Sequence, residues 1–424
     1  MVAVPPHILR AIAQSKAPDH IRQSAMISLT HTESFLGRRA CHRPRRQDQG
    51  QGQGQDQGQG QGQGQNQHRQ IVPPHILRNV VESNKADETR RDQAKHSLNH
   101  LQDIIGKVRG SQQPIGASPK GSPYIAVHDI HTSPNESDLP RELIRDNGEK
   151  VKDKAVNEAY DNVGTVLGFY KKYFKWLSID NKNMDVVSTV HFGKSYENAF
   201  WDPEKLQMVF GDGGEFLNNF TGCIDVIGHE LTHAVTEHTS PLDYYGQAGA
   251  LNEHISDVFG IMVKQKVQDE QSNVADWLIG EDCILPGVKG TALRSMKEPG
   301  TAYDDPVFGK DPQAAHMKQF KTMFEDNGGV HIFSGIPNRA FYLVSVSFDG
   351  YSWEKAGKIW WAALKSGKIS PKCTFKQFAN VTIDCAKELF DASASKKVKQ
   401  AWADVGVIQA ASSSSGSGTG CNVL

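Results

Sequence analysis

The sequence predicts an α+β protein whose N-terminal half is rich in strands and whose C-terminal half is helical. Short runs of alternating apolar and polar residues, bounded by Gly and Asp, indicate strands within residues 124–210, above all at 186–192 and 207–210. From residue 221 onward the apolar residues recur at helical spacing instead. This change of period divides the predicted fold into two halves.

Helices are predicted in order along the chain. One of them, at 150–177, interrupts the strands of the first half. Those of the second half are predicted at 224–236, 250–267, 336–346, 352–365 and 374–389. Two segments show no such pattern, because residues 49–67 are nearly pure Gly and Gln and residues 412–420 are mostly Ser and Gly. Neither carries apolar side chains to bury, so we expect linkers there.

Composition limits the partners and the compartment. The 424 residues include 47 basic and 48 acidic side chains, and a net charge of -1 does not attract nucleic acid. The six cysteines contain no C-x-x-C pair, so we expect neither a zinc ribbon nor disulfides that the fold needs. No apolar run is long enough to span a membrane, and residues 1–30 lack the apolar core of a secretory signal. We therefore expect a monomer, made in the cytoplasm, without a transmembrane segment.

A heptapeptide occurs twice in the chain. VPPHILR stands at residues 4–10 and again at 72–78, on either side of the Gly/Gln segment, and a weaker echo follows each copy. Two explanations remain open: a duplicated surface helix or gene-prediction error, and a docking element present in two copies. The length of the identical run indicates a true duplication, and we favour the docking element.

The pattern H-E-x-x-H lies within the predicted helix at 224–236 and contains His229 and His233. Residues four apart share a helical face, so both imidazoles can reach one ion. A catalytic zinc takes three protein ligands and leaves a fourth position for water. Glu253, on the next predicted helix, is the third ligand that we predict. Its neighbour His254 points about 100° away and is expected to pack or cap.

Further polar residues flank these ligands. Asp257, one helical turn after Glu253, and Asn252 can accept the second ring N–H of the ligand histidines and fix their tautomers. Glu230 is adjacent to a ligand but does not bind the ion, so it can take a proton from the attacking water. The residues therefore predict amide hydrolysis at one zinc ion, without a covalent intermediate.

Taken together, these residues resemble the thermolysin family of neutral zinc metalloendopeptidases, over about residues 124–409. The family's N-A-F-W edge strand corresponds to residues 198–201, and its D-N-G-G-V-H to residues 326–331. The resemblance implies a two-lobe fold with the zinc helix between the lobes, and cleavage of internal peptide bonds before bulky apolar residues. It also implies oxyanion donors at His331, held by Asp326, and at Tyr244, and substrate-binding residues at Asn198, Ala199 and Arg294. Plain packing of Tyr244 remains the alternative for that residue, and His191 and His316 are expected to be structural.

The repeated heptapeptide is similar to the short propeptide of the protealysin branch of this family. The resemblance implies a zymogen whose partners are peptide substrates and its own propeptide. The implied organisation is a partial duplicate of the propeptide motif at 1–34, a linker at 35–71, the propeptide at 72–123, a β-rich catalytic domain at 124–236, a helical catalytic domain at 237–410 and a tail at 411–424. The family pattern has one copy of the motif, so the resemblance gives no role to the first.

Calcium ligands are also implied by the resemblance, at Asp225, Asp276 and Glu281 near the zinc helix. Lys264 stands where members with two calcium ions carry Glu, and Leu278 replaces another Glu. A buried ammonium can take the place of an ion electrostatically. We therefore expect one calcium at most.

The last four residues, C-N-V-L, match a Cys-a-a-X prenylation box at Cys421, although Asn422 is polar and no basic stretch supports it. One prenyl chain would anchor the protein only reversibly. The family resemblance implies export by a non-standard route, and reversible anchoring is the alternative.

A catalytically silent zinc- or peptide-binding protein on the same fold is the rival function, and the presence of Glu230, His331 and Tyr244 together favours the enzyme.

Overall fold

The computed structural model describes residues 4–39, 121–146, 148–194, 196–214, 217–324 and 326–409. Residues 1–32 and 118–424 form one compact unit, and residues 33–117 form another. The predicted linker, propeptide and C-terminal tail, including Cys421, fall almost entirely outside the described residues.

Two helices open the chain, α1 (Pro6–Gln14) and α2 (Asp19–Arg39). Pro6 begins α1, where the N–H that proline lacks would have no helical partner. The buried side chains of α1 are Pro6, Ile8, Leu9 and Ile12. This helix therefore contains most of the first heptapeptide.

A five-stranded sheet forms the strand-rich half, in the order β2-β1-β3-β5-β4. Its strands are β1 (Ile125–Asp129), β2 (Glu142–Arg145), β3 (Val186–Val190), β4 (Ala199–Asp202) and β5 (Gln207–Phe210). β1, β3 and β5 run parallel, whereas β2 and β4 pair antiparallel at the two edges. Every residue of β3, β4 and β5 is buried, as expected for strands covered on both faces. Four shorter strands form two further ladders, β6 (Leu278–Ile279) with β7 (Arg294–Ser295) and β8 (Asp304–Asp305) with β9 (Gly309–Lys310).

The helix α3 (Lys154–Phe169) interrupts the strands and continues into a π-helical turn at Tyr170–Phe174. The carboxylate of Asp153 accepts the backbone N–H of Val156 and so caps the first turn. Asn162 of α3 donates to the backbone oxygen of Thr221 at 2.8 Å. That contact anchors α3 just ahead of the helix that carries the H-E-x-x-H pattern.

The helices α4 (Ile224–Thr239) and α5 (Gly246–Gln268) pack antiparallel with their backbones in contact. A Cβ atom added to Gly260 would lie 2.5 Å from the backbone oxygen of Asp225, and one added to Gly228 would lie 3.0 Å from Cα of Gly260. Only glycine at these two positions permits so close an approach. As a result, the face of α4 that bears both predicted histidine ligands lies against the face of α5 that bears Glu253.

The helical half is completed by α6 (Asp326–Phe333), α7 (Gly335–Phe348), α8 (Ala356–Lys365), α9 (Phe375–Leu389) and α10 (Ala392–Asp404). Trp360 of α8 stacks on Trp402 of α10, with 6.1 Å between the ring centroids. No helix among the described residues is long and apolar enough to cross a membrane. The predicted fold class is confirmed, since strands fill the first half, helices fill the second, and the H-E-x-x-H helix joins them.

Candidate active site

Three buried side chains converge between α4 and α5. The Nε2 atoms of His229 and His233 lie 3.0 Å apart. Glu253 brings Oε2 to 3.4 Å from Nε2 of His229 and Oε1 to 3.7 Å from Nε2 of His233. Each residue offers one ligand atom, and these atoms all lie within 4.8 Å of one another. The three predicted zinc ligands are therefore brought together at one point.

The far side of each imidazole is held by a hydrogen-bond acceptor. Nδ1 of His229 lies 2.8 Å from Oδ1 of Asp257, and Nδ1 of His233 lies 2.8 Å from Oδ1 of Asn252. Ser256 adds a contact of 2.7 Å from its Oγ to Nδ1 of His233. With both Nδ1 atoms donating, the two Nε2 lone pairs face each other across 3.0 Å, an arrangement that a metal ion between them satisfies. Two imidazoles and a carboxylate are the donor set of a catalytic zinc.

The charges around this point favour a bound cation. Burial alone would raise the pKa of Glu253, but His331 and His233 outweigh it and hold that pKa well below its usual value. Burial lowers the pKa of His229, yet its hydrogen bonds to Asp257 and Glu253 outweigh this effect and raise the pKa to about 9. Glu253 therefore stays a carboxylate, and a divalent ion competes with a proton for His229.

Glu230 lies on α4 beside the ligands and is fully buried. The backbone N–H of Trp201, in the edge strand β4, donates to its Oε2 at 2.9 Å. This bond fixes the carboxylate between the helix and the sheet edge. A carboxylate held next to a metal site can accept a proton from an attacking water.

The second half of the site is built by α6, which begins with left-handed backbone at Asn327, Gly328 and Gly329. This turn lets Asp326 contact His331 twice, through Nδ1 at 2.6 Å and the backbone N–H at 2.9 Å. The other ring nitrogen of His331, Nε2, lies 3.5 Å from Oε2 of Glu253. Burial lowers the pKa of His331, but Asp326 and Glu253 outweigh it, so the pKa is raised.

Tyr244 precedes α5 and donates its hydroxyl to Oε1 of Glu253. Tyr244 is only 7% exposed, as expected for the alternative that it simply packs. The contact with Glu253 shows that it also touches a predicted ligand. Tyr244 and His331 thus both lie beside Glu253, the predicted third ligand. Two donors at that position can face an oxygen that gains negative charge.

The three residues predicted to bind substrate lie in two environments. Asn198 and Ala199 stand at the start of the edge strand β4, and both are buried. Arg294 is 2% exposed and donates from Nε and Nη2 to Asp257, at 2.9 and 2.8 Å. Its guanidinium therefore holds the acceptor of His229, a role that the sequence did not suggest.

Other functional residues were also missed. Asn338 of α7 donates to Oδ2 of Asp257 at 2.8 Å and contacts Nδ1 of His254 through its Oδ1 at 2.8 Å. His254 receives a second bond from Trp360 Nε1 at 2.8 Å, which places it in the core. Neither Asn338 nor Ser256 lies in a recognisable motif. Only the helical spacing of Ser256 from Asn252 could have indicated it.

The residues implied as calcium ligands surround a lysine. Nζ of Lys264 lies 2.9 Å from Oε2 of Glu281, 3.3 Å from Oδ2 of Asp276 and 3.1 Å from the backbone oxygen of Leu278. Lys264 is 3% exposed. Asp225 lies further in and accepts the backbone N–H of Gly280 at 2.8 Å. An ammonium thus stands among the carboxylates.

The histidines left as structural lie away from the ligand cluster. His191 contacts Asp212 through Nδ1 at 2.8 Å and Asp153 through Nε2 at 3.0 Å. His316 accepts the backbone N–H of Lys318 at 3.0 Å and so caps a short helical turn. Neither has a contact with the zinc ligands among the described residues.

The N-terminal segment lies on the residues predicted to bind substrate. The backbone N–H of Val4 donates to Oδ1 of Asn198 at 2.7 Å, and Nδ2 of Asn198 donates to the backbone oxygen of Val4 at 3.0 Å. Nε2 of His7 lies 2.8 Å from the hydroxyl of Tyr303. Thr32 also contacts Asn198, at 3.0 Å. The first copy of the heptapeptide is therefore part of the site.

Three family descriptions match the chain. "Thermolysin metallopeptidase, catalytic domain" matches residues 111–237, "Thermolysin metallopeptidase, alpha-helical domain" matches residues 240–407, and "Protealysin propeptide" matches residues 69–113. The propeptide match covers the second heptapeptide and leaves the first outside.

Individual relatives cover most of the chain. Protease PrtS of Photorhabdus sp. is 43% identical over 346 residues, which are 80% of this chain and 92% of the relative. The extracellular metalloprotease of Pectobacterium carotovorum subsp. carotovorum is 43% identical over 80% of this chain and 96% of its own length. The solved precursor of protealysin, a metalloproteinase from Serratia proteamaculans, has a TM-score of 0.66 and 45% identity, and it matches over 80% of this chain and 99% of its own. Because sequence and fold agree with these relatives over nearly their whole length, the chain belongs to the thermolysin family of metallopeptidases, in the group with a protealysin propeptide.

Proposed function

We propose that this chain is a zinc endopeptidase that hydrolyses internal peptide bonds before bulky apolar residues, with Glu230 as general base. Family membership makes it a metalloprotease with a propeptide. The observation that carries the finer proposal is the position of Glu230, which follows one ligand in sequence and is fixed by the N–H of Trp201 at 2.9 Å. Substrates are peptides or proteins, and the preference for apolar residues rests on the family resemblance.

His229, His233 and Glu253 would hold the zinc ion. When bound, zinc supplies a Lewis acid that polarises the substrate carbonyl and lowers the pKa of water to about 7. Asp257, supported by Arg294, keeps Nε2 of His229 directed at the ion, and Asn252 does the same for His233. These partners support the assignment because a correctly oriented lone pair is what a zinc ligand needs.

Glu230 moves the protons of the reaction. Its carboxylate takes one proton from the attacking water, whose oxygen bonds to the carbonyl carbon. The carbon–nitrogen bond then breaks, and the proton passes from Glu230 to the leaving amine. The bond from Trp201 leaves Glu230 in one orientation throughout both transfers.

His331 and Tyr244 stabilise the oxygen that becomes negative. Both lie against Glu253, and Asp326 orients the ring of His331 and favours its cationic form. Each donor of this type contributes about 3 to 4 kcal/mol to transition-state stability in comparable sites. Tyr244 exchanges its bond with Glu253 for one with the substrate oxygen.

Peptide substrates bind along the edge strand β4. Asn198 contributes both its amide groups to one residue of the bound peptide, and Ala199 lies at the start of the strand that the peptide extends. The contacts between Asn198 and Val4 support this reading, because they pair one side chain with both backbone groups of a single residue. Arg294 binds a substrate carbonyl, as the family resemblance implies, and it also supports Asp257, the partner of His229.

Lys264 replaces the calcium ion that the family resemblance implies. Its ammonium lies within 3.3 Å of both Asp276 and Glu281, where it offsets their charge. The alternative, one calcium held by Asp225, Asp276 and Glu281, requires Lys264 to leave this position. We favour the ammonium because the lysine is buried there.

The compartment is proposed by analogy. Two relatives are named extracellular, which supports secretion of this chain as well. Reversible anchoring through Cys421 is the alternative. The intact mass of the C-terminal peptide, purified from the native host, decides between them, because prenylation adds the lipid and removes the last three residues.

A casein assay with metal analysis tests the function. We expect activity that a zinc chelator abolishes and zinc restores, one zinc ion per chain, and loss of activity in Glu230→Gln with zinc still bound. Activity retained by Glu230→Gln would refute the general base. Stoichiometric zinc without activity in any processed form would favour the silent binding protein.

A further inference from the structure

The first heptapeptide occupies the substrate side of the site through several independent contacts. Val4 makes two backbone hydrogen bonds with Asn198. Further along the segment, Oγ of Ser28 accepts the backbone N–H of Glu197 at 2.8 Å. Ser28 and Thr32 are fully buried, as are Ile8, Leu9 and Ile12 of α1. The segment is therefore docked along its length and does not merely touch the cleft with its end.

His7 locates this segment relative to the catalytic residues. Its side chain is half-buried, with Nε2 at 2.8 Å from the hydroxyl of Tyr303. Burial and the charges of His331 and Arg294 lower the pKa of His7 to about 3. The two bonds between Val4 and Asn198 place the segment at the start of β4, where substrate is proposed to bind. A peptide substrate cannot enter along β4 while the segment is there.

The same seven residues recur at 72–78, and the family propeptide matches this second copy. The echo of Ser28-Leu29 at Ser97-Leu98 extends the repeat to the contact with Glu197. One cleft cannot hold both copies. We propose, on the basis of the zymogen function above, that the two copies are alternative occupants of the same cleft, so that the enzyme stays latent until both are removed.

Tethering explains why two copies protect better than one. An inhibitor attached to its target acts at an effective concentration of about millimolar. A cut within residues 49–67 frees the first copy to dissociate, but it leaves the second copy attached to the catalytic region. Both copies precede the catalytic domain, so a cut between the second copy and that domain detaches both at once. Activation consequently depends on the cut that follows the second copy, and a cut within residues 49–67 alone leaves the enzyme latent.

The test measures access to the cleft in the full chain, with Glu230→Gln present to prevent self-cleavage. The first copy is disabled by Ile8→Asp with Leu9→Asp, and the second by Ile76→Asp with Leu77→Asp, since a buried carboxylate undocks an apolar face. Fluorescence anisotropy of a fluorescein-labelled casein peptide reports binding. We expect the parent and either disabled chain to bind weakly, and the doubly disabled chain to bind at least about tenfold more tightly. Met26→Asp is the matched control, because Met26 is 54% exposed.

Each other outcome overturns the proposal. Full access after disabling the first copy alone means that the second is no substitute, and full access after disabling the second alone means that the first does not inhibit. No access in the doubly disabled chain means that neither copy blocks the cleft. Repeating the measurements with Glu230 restored distinguishes failure of the alternative occupancy from failure of the proposed function. An accessible chain without caseinolytic activity contradicts the enzyme, whereas an active chain with equal access in all variants contradicts only the alternative occupancy.

A second inference rests on a different observation, the contact between Cys223 and Cys283. Their Sγ atoms lie 2.8 Å apart, closer than two unbonded sulfur atoms normally approach, and both residues are buried. The surrounding backbone already joins the two segments, because Asn218 N–H donates to the oxygen of Cys283 at 2.9 Å. We infer that these cysteines form a disulfide that ties the start of the zinc helix α4 to the loop after β6.

The reaction is a thiol–disulfide exchange with a low-molecular-weight disulfide such as oxidised glutathione. Each cysteine loses its thiol hydrogen, one sulfur–sulfur bond forms, and the glutathione disulfide is reduced to two thiols. The two cysteines are 60 positions apart, so the bond closes a long loop of the unfolded chain. Stabilisation of the folded protein follows.

Peptide mapping without reduction tests this assignment on the zinc-loaded full chain, refolded with oxidised glutathione in the Glu230→Gln background. We expect a linked peptide pair that contains Cys223 and Cys283, and a fall in Tm of roughly 5 °C on reduction. Cys223→Ser with Cys283→Ser should abolish the effect of reduction, whereas the control pair Cys373→Ser with Cys385→Ser should retain it. Free or glutathionylated Cys223 and Cys283 after refolding, or a shift that persists in the first double variant, would overturn the inference.

Discussion

The Oδ1 atom of Asp257 lies 2.8 Å from Nδ1 of His229, and the same carboxylate is gripped by the guanidinium of Arg294. Burial alone would raise the pKa of Asp257, but Arg294 and His229 outweigh it and hold the pKa well below its usual range. The orientation of a predicted zinc ligand thus depends on a buried ion pair. Weakening this ion pair should therefore lower the affinity for the metal more than it lowers the rate of the chemical step.

Replacement of this carboxylate should weaken zinc binding. We expect Asp257→Asn to raise the Kd for zinc about 10- to 100-fold, because the amide orients His229 less firmly. Stability should fall by about 3 to 5 kcal/mol, since Arg294 keeps its charge but loses its buried partner. Competition with a chromophoric chelator measures the first effect and urea unfolding the second. The exposed Asp304→Asn serves as control, and an unchanged zinc Kd in Asp257→Asn would contradict the role given to Asp257.

Loss of the predicted oxyanion donor should act on turnover. We expect His331→Phe to lower kcat about 100- to 1000-fold with little change in KM, because the donor binds charge that develops only in the transition state. Steady-state kinetics on a peptide amide provide the measurement. His131→Phe, at a side chain that is 43% exposed, should behave as wild type. If KM rises while kcat is kept, His331 binds the ground state instead.

The ammonium among the carboxylates predicts a protein that does not respond to calcium. With zinc saturating, added calcium should leave the Tm of the wild type unchanged. We expect Lys264→Gln to lower the free energy of unfolding by about 1 to 3 kcal/mol, because Asp225, Asp276 and Glu281 then repel one another. Added calcium should restore part of this loss. Scanning fluorimetry across a calcium titration measures both effects, and Lys266→Gln on the same helix is the control. A calcium-dependent Tm in the wild type would instead support the calcium site implied by the sequence.

His191 predicts how stability depends on pH. The hydrogen bond to Asp212 raises the pKa of His191 to about 9, aided by Asp153 and opposed by burial. A folded-state pKa above the unfolded value of 6.5 means that the stabilisation is complete below pH 6.5 and is lost as pH rises to about 9. After allowance for solvent screening, we expect protonated His191 to stabilise the folded protein by about 1 kcal/mol.

Urea unfolding at pH 6 and pH 9 measures this difference. His191→Gln should lose most of the stability difference between these two pH values, whereas the exposed His238→Gln should keep it. If the difference in stability between pH 6 and pH 9 is the same in the wild type and in His191→Gln, the ion pairs of His191 are too well solvated to contribute.

Much of the fold could be predicted because its signals are local. The bounds of β5 match the predicted run at 207–210, and the zinc helix α4 extends the predicted 224–236 by a few residues. By contrast, α10 was missed because its apolar residues are few and separated by lysines. The position of Glu253 beside the two histidines was predictable because the neighbouring Asn252 and Asp257 keep helical spacing with it.

The unpredicted part of the site consists of contacts between residues distant in sequence. Arg294 was predicted to bind substrate, and its additional pairing with Asp257, which was not predicted, depends on how β7 lies against α5. The sequence separation of Cys223 and Cys283 likewise gives no indication that their side chains meet. The choice between two identical heptapeptides could not be made from composition at all, whereas contacts such as those with Asn198 place the first copy at the site.

Gly260 illustrates how little room the zinc centre has for adjustment. A single methyl group at this position would meet the backbone of α4 and act as a wedge between the two halves of the ligand set. The three ligands would then be separated although none of them had been altered. The spacing of the candidate metal ligands is therefore set partly by two residues that have no side chain, because the gap that they allow fixes how closely the two helices can approach.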